Sequence, residues 1–154
     1  MKSGPTLSRA DAHINRVING DSMEQALGSG PGPRIMGATT LVGDAVCNSV
    51  GETLGKVEEI MLDTSTGQIA YAVLSSGGFL GMGDKLFAIP WQVFELDPEN
   101  KRFLLNVDKQ KLKQAPGFDK RHWPAMADLE WAQMVHGYYG SDPYWNRRPD
   151  HLPL

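Results

Sequence analysis

The stretch "KVEEIMLDTSTGQIAYAVLSS", Lys56 to Ser76, reads as two strands around a tight turn. In its second half Ile69, Tyr71 and Val73 fall on one face and Ala70, Ala72 and Leu74 on the other, because successive strand side chains point to opposite sides. Both faces are apolar, so this strand is expected to be covered on both sides. The first half slips at Glu58–Glu59, which predicts a β-bulge. Between the halves, "TSTG" puts Gly67 at the left-handed position of a short hairpin loop.

The same pattern continues on both sides. "LVGDAVCN", from Leu41, reads as a first strand, and "SVGETLG" as a hairpin turn with Gly51 at positive φ. "KLFAIPWQVFEL" holds a fourth and a fifth strand divided at Pro90, since proline lacks the ladder donor. "DPEN" places Pro98 second in a type I turn. "KRFLLNV" is expected to be the last strand, with Phe103, Leu105 and Val107 on one face. Five or six strands in roughly 70 residues leave no room for crossover helices between neighbours, which predicts an antiparallel sheet. A sheet that is apolar on both faces is expected to close into a small barrel. The fold class is therefore mainly β, over residues 41–108.

Residues 1–40 are rich in Gly, Ser, Pro and Asn. They are expected to form a disordered extension, with at most a short helix after Ser8. Residues 109–154 read as a C-terminal extension with one or two short helices. "DKQKLKQA" is a helical turn stopped by Pro116-Gly117, and "GFDKRHWP" is irregular. "MADLEWAQMVHGYYG" has Ala127, Trp131, Met134, Val135 and Tyr138 at helical spacing.

Composition narrows the function classes. The chain has 154 residues, a formal net charge of −3 and one cysteine, Cys47. No intrachain disulfide can form, and one thiol is compatible with a reducing cytoplasm. No apolar run reaches the ~18 residues of a membrane helix, and "MKSGPTLSRADAHINR" is not a secretory signal. A cytoplasmic protein without direct membrane insertion is expected.

"SSGGFLGMGDKLFAIPW", Ser75 to Trp91, resembles a phosphate cradle at first sight. It fails that test: Asp84 separates Gly83 from Lys85, and Leu86 stands where Ser or Thr is required. The dinucleotide pattern fails too, because no third glycine and no helix follow Gly81-Met82-Gly83. "DTSTGQI" lacks the later acids of a calcium loop. His13, His122, His136 and His151 share no helical face, and Cys47 has no cysteine partner for a metal. No serine sits in a nucleophile elbow. The expectation is no catalytic residue, no cofactor and no metal, hence no enzyme.

Two surface signals remain. Residues 41–100 carry nine acids against two bases, a net −7, whereas 101–121 carry seven bases against two acids, a net +5. Lys109, Lys111, Lys113, Lys120 and Arg121 are the candidate anion or RNA contacts. The three alternating lysines line one face only if extended, and spread on a helix. Trp123, Trp131, Tyr138, Tyr139, Tyr144 and Trp145 all fall in the last third. They either complete the core or form an interface, where Trp and Tyr anchors concentrate binding energy. Phe79 and Leu80, at the tip of the glycine loop, are further candidate interaction residues.

The ordered pattern Gly-x-x-Leu-Gly-Lys-Val, Asp-x-x-Thr-Gly-x-Ile-x-Tyr-Ala-Val-Leu and Gly-Asp-Lys-Leu-Phe-Ala-Ile-Pro-Trp, from Gly51 to Trp91, resembles the PRC-barrel family. Its members include the cytoplasmic barrel of the photosynthetic reaction centre H subunit and the C-terminal domain of a ribosome maturation factor. The tail from Ala115 to Trp145 is similar to that of stand-alone bacterial members. The resemblance implies a small antiparallel PRC-type β-barrel and transfers no catalytic residue. It departs from the reaction-centre subunit in having no membrane helix, and from the ribosome factor in having no recognisable preceding domain. The leading expectation is a non-enzymatic protein-interaction adaptor that pairs with itself as a homodimer, its protein partner unidentified. The alternative is an RNA- or ribosome-associated factor using residues 101–121.

Overall fold

A computed structural model describes residues 34–78 and 84–146. The hairpin forms as its turn chemistry requires. The Asp63 carbonyl accepts from the Gly67 amide at 2.8 Å, and the Asp63 carboxylate accepts from the Ser65 amide and hydroxyl at 2.9 and 2.6 Å. Gly67 has φ 75°. On either side run β2 (Thr53–Asp63) and β3 (Gln68–Ser75), paired antiparallel. The register shifts between Val57 and Glu59, the bulge expected from the two glutamates, and again between Met61 and Leu62. Ala70 to Leu74 are all buried, in keeping with a strand covered on both faces.

Five further strands complete the sheet: β1 (Ala45–Cys47), β4 (Lys85–Pro90), β5 (Phe94–Asp97), β6 (Arg102–Leu105) and β7 (Phe118–Asp119). A 3-10 turn, Trp91–Val93, follows Pro90 and separates β4 from β5. The strand order is β5-β6-β1-β2-β3-β4-β7. Four expectations are corrected here. The sheet is mixed, because β1 and β6 are parallel. The hairpin argument holds only for strands consecutive in the chain, and four others lie between these two, so no short connection dictates their direction. The sheet is also not closed into a barrel: it is an open ladder ending in β5 and β7. Finally, β6 is not the last strand, since two residues of the stretch expected to be irregular pair with Lys85 and Leu86 as β7. Leu41, expected to start β1, instead ends a helical turn, α1 (Ala38–Leu41).

The core lies where β2, β3, β4 and β6 carry Leu54, Tyr71, Leu86, Phe87, Ile89 and Phe103, each at most 1% exposed. Two helices extend it. In α2 (Lys109–Lys113) Asp108 caps the N-terminus by accepting from the Lys111 amide at 2.7 Å, and Leu112 is fully buried. In α3 (Leu129–Tyr138) Asp128 caps in the same way through the Trp131 amide. Its buried residues are Ala132, Val135 and His136, and Tyr139, which caps its C-terminus, is buried as well. The expected stripe is therefore corrected: Ala127 precedes the helix and Met134 is 50% exposed. A buried histidine does not register in apolar periodicity, so the sequence pattern omits His136 from the buried face, while Val135 of the expected stripe is buried.

The expected helix after Ser8 and most of the expected extension 1–40 lie outside the described residues. No helix among the described residues is long and apolar enough to cross a membrane.

Candidate functional site

The C-terminal segment is pinned onto the turn end of the β2–β3 hairpin. His136, fully buried, donates from Nδ1 to the Ala132 carbonyl at 2.7 Å, and its Nε2 accepts from the Tyr144 amide at 3.3 Å. One tautomer, protonated at Nδ1, satisfies both bonds. Tyr144, in a 3-10 turn (Tyr144–Asn146), then donates its hydroxyl to Asp63 Oδ2 at 2.7 Å, across 81 residues of sequence. Gln92 Nε2 donates to the Asp142 carbonyl and ties the same segment to the corner after β4.

This pinning encloses a cleft of about 500 Å³ between the hairpin and α3. Its lining includes Met61, Leu62, Asp63, Tyr71, Met126, Leu129, Tyr144 and Trp145. Leu62 and Leu129 are 54% and 63% exposed. The rings stand nearly at right angles: 85° for Tyr71 with Tyr144 at 6.1 Å, and 85° for Tyr144 with Trp145 at 5.2 Å. Such edge-to-face packing favours a fixed aromatic wall.

Asp63 is held ionised. The Ser65 hydroxyl, then the Tyr144 hydroxyl, then the Ser65 amide lower its pKa to about 2. Burial, followed by the bond to the Asp63 carboxylate, pushes the Tyr144 phenol up to about 12. Burial first, and the nearby Tyr144 second, raise the Tyr71 phenol. The Tyr71 hydroxyl is buried without a hydrogen-bond partner among the described residues. Ser65→Ala is expected to raise the Asp63 pKa more than Tyr144→Phe does, with both variants folded. A carboxylate NMR titration checks this; an unmoved Asp63 in both variants would show that these hydroxyls do not hold the charge.

The sequence-derived candidates separate on this frame. Trp131 and Tyr144 pack on Tyr71, and Tyr139 is buried. Tyr138 donates its hydroxyl to the Lys111 carbonyl, with the Lys111 ammonium 5.7 Å from its ring, so it joins α2 to α3. Trp123 is 42% exposed, packs on Phe118 and donates to the Lys120 carbonyl. Only Tyr144 and Trp145 of this group line the cleft. Phe79 and Leu80 lie outside the described residues. The basic candidates do not converge: Lys109, Lys111 and Lys113 sit on a helix, and Lys120 pairs with Glu58 at 3.0 Å. Arg121 is exposed. Among the described residues no group of three or more His, Cys, Asp or Glu side chains could hold a metal ion.

Sequence reasoning missed His136, Asp63 and Leu62. The signal available was local: Asp63 opens a turn with Ser two residues on, a side-chain-to-backbone pattern that fixes the carboxylate. Nothing in the sequence connected it to Tyr144.

A mixed, strongly β sheet with a pinned helical tail defines a small β domain. The PRC-barrel domain family model matches residues 33–112, and the chain belongs to that family. No curated protein sequence matches it. Among solved structures it is similar to that of RimM from Pseudomonas aeruginosa, a protein named for 16S ribosomal RNA processing. That likeness has 14% identity and a TM-score of 0.39, and covers 52% of this chain and 48% of the other.

Proposed function

We propose that this chain is a non-enzymatic adaptor that takes an anchor side chain of a partner protein into the cleft between the β2–β3 hairpin and α3, with the apolar rim covering its stem. The observation that carries this reading is the rim: Leu62 and Leu129 are more than half exposed beside a fixed aromatic wall. Leucines held in water beside a concave apolar floor gain about 25 cal/mol for each Å² that a partner covers. Self-pairing is part of the reading, and light scattering at high concentration tests it. A strict monomer would remove the homodimer and leave the adaptor role.

RNA contact through residues 101–121 has less support, because α2 turns Lys111 away from Lys109 and Lys113 and Lys120 is engaged by Glu58. The test compares the full chain with Leu62→Glu/Leu129→Glu as baits in a native extract. The expected result is a protein identified by mass spectrometry that rebinds when purified and is lost with the double variant. Because both positions are exposed, unfolding free energies should agree within about 0.5 kcal/mol. Recovery of RNA that falls steeply with salt and is indifferent to the leucines would favour the alternative.

A further inference from the structure

The charge inside the cleft goes beyond its apolar rim. Among the described residues Asp63 is the one charged side chain in the lining. Its oxygens accept from Ser65 and Tyr144, and no cation pairs with it among the described residues, whose ion pairs are Arg102–Asp97 and Lys120–Glu58. A carboxylate held ionised by neutral donors keeps its full negative charge. It lies beside three aromatic side chains, with Tyr144 set nearly perpendicular to both Tyr71 and Trp145. Tyr71 adds a second, independent observation: it is 1% exposed, lines the cleft, and its hydroxyl has no hydrogen-bond partner among the described residues. A buried hydroxyl left unpaired is costly, and its oxygen would accept from an N–H donor brought into the cleft.

An uncompensated carboxylate, aromatic walls and an unused phenol acceptor call for a cation with an apolar stem. The ring faces attract the cation, the carboxylate fixes its head, and Met61, Met126 and the two leucines cover its methylenes. A wholly apolar anchor would leave the Asp63 charge unneutralised and the Tyr71 hydroxyl unpaired. We infer that the cleft receives the alkylammonium side chain of a lysine on the partner polypeptide. This rests on the adaptor reading and names the chemistry of the partner's anchor.

The probe is n-butylammonium, the lysine side chain without its backbone, with n-butanol as the neutral isostere. The full chain is titrated with each while the Tyr71, Tyr144 and Trp145 ring resonances are followed by NMR. The expected result is at least tenfold tighter binding of n-butylammonium, reduced to parity in Asp63→Asn. Tyr71→Phe is expected to weaken n-butylammonium binding while keeping or raising the melting temperature, because it removes an unpaired buried hydroxyl. Equal binding of the two probes, or unchanged selectivity in a folded Asp63→Asn, would overturn the inference. Binding that appears only when Arg147 and Arg148 are both changed to Gln would assign the cleft to the chain's own arginines and overturn it too.

The two readings fail separately. A partner captured through Leu62 and Leu129 but indifferent to Asp63→Asn removes the lysine and keeps the adaptor. Selective n-butylammonium binding with no partner lost in the leucine variant keeps the cation site and removes the adaptor. If a captured partner proves to be a second copy of this chain, replacing its lysines singly by Gln is expected to identify one that abolishes pairing; none doing so would overturn the lysine assignment.

Discussion

Gly55→Ala is expected to destabilise the fold by at least about 3 kcal/mol, at the upper end of overpacking costs. A Cβ at this position would lie 2.2 Å from the Ser75 carbonyl oxygen, 3.0 Å from its carbon and 3.2 Å from the Ser76 Cα. All three atoms are backbone, so no rotamer change relieves the contact. Gly55 lies where β2 leaves one neighbour for the other: Gly55 pairs with Val46 of β1, and Lys56 with Ser75 of β3. Relief requires β2 and β3 to part at that crossing, and the adjacent Leu54 and Val57 are almost completely buried. Gly51→Ala is the control. Gly51 has φ 84° and open space around its would-be Cβ, so it carries only the left-handed penalty of about 1–2 kcal/mol. Urea unfolding of both variants measures the difference. If Gly51→Ala proves the more damaging, the close passage of β2 over Ser75 is not what demands glycine at 55.

These two glycines also show which parts of the fold the sequence discloses. Gly51 and Gly67 serve turns a few residues long, so their roles follow from neighbours in the chain. So do the bulge at Glu58, the corner at Pro90 and the aspartate caps of α2 and α3. Gly55 answers to a carbonyl twenty residues away, and its role depends on a register that local pattern does not contain. The parallel pairing of β1 with β6 is of the same kind, as is the failure of the sheet to close. The candidate cleft was less legible than the fold. It joins Asp63 to Tyr144 by a hydrogen bond and brings Leu62 and Leu129 into one lining, an arrangement made only once the C-terminal segment docks. The aromatic tail was visible as unusual, but composition could not divide Tyr139, which is buried, from Trp145, which lines the cleft.

His136 holds that docking, and His136→Ala is expected to cost about 3 kcal/mol at pH 7.5, combining a buried cavity with two lost hydrogen bonds. Its signature is the pH dependence. Burial lowers the His136 pKa below its ordinary 6.5, against a smaller opposing effect of the bond to Ala132. The neutral ring is the native form, since a protonated Nε2 would place a second donor against the Tyr144 amide. As pH falls through about 6.5 the unfolded chain takes up the proton first. Stability is therefore complete above that value and declines below it until the folded-state pKa is passed. The slope is up to about 1.4 kcal/mol per pH unit. Asp63 acts in a separate window, because its pKa moves from 3.8 to about 2, so its contribution is lost only below about 4. Between pH 6.5 and 4.5 the wild-type urea midpoint should fall while that of His136→Ala stays nearly level. Parallel profiles would show that another group carries the acid sensitivity. The same protonation removes the acceptor that holds Tyr144. The Tyr144–Asp63 bond and the Trp145 wall should therefore loosen within that window, before global unfolding, as a change in aromatic ring resonances that the His136→Ala protein lacks.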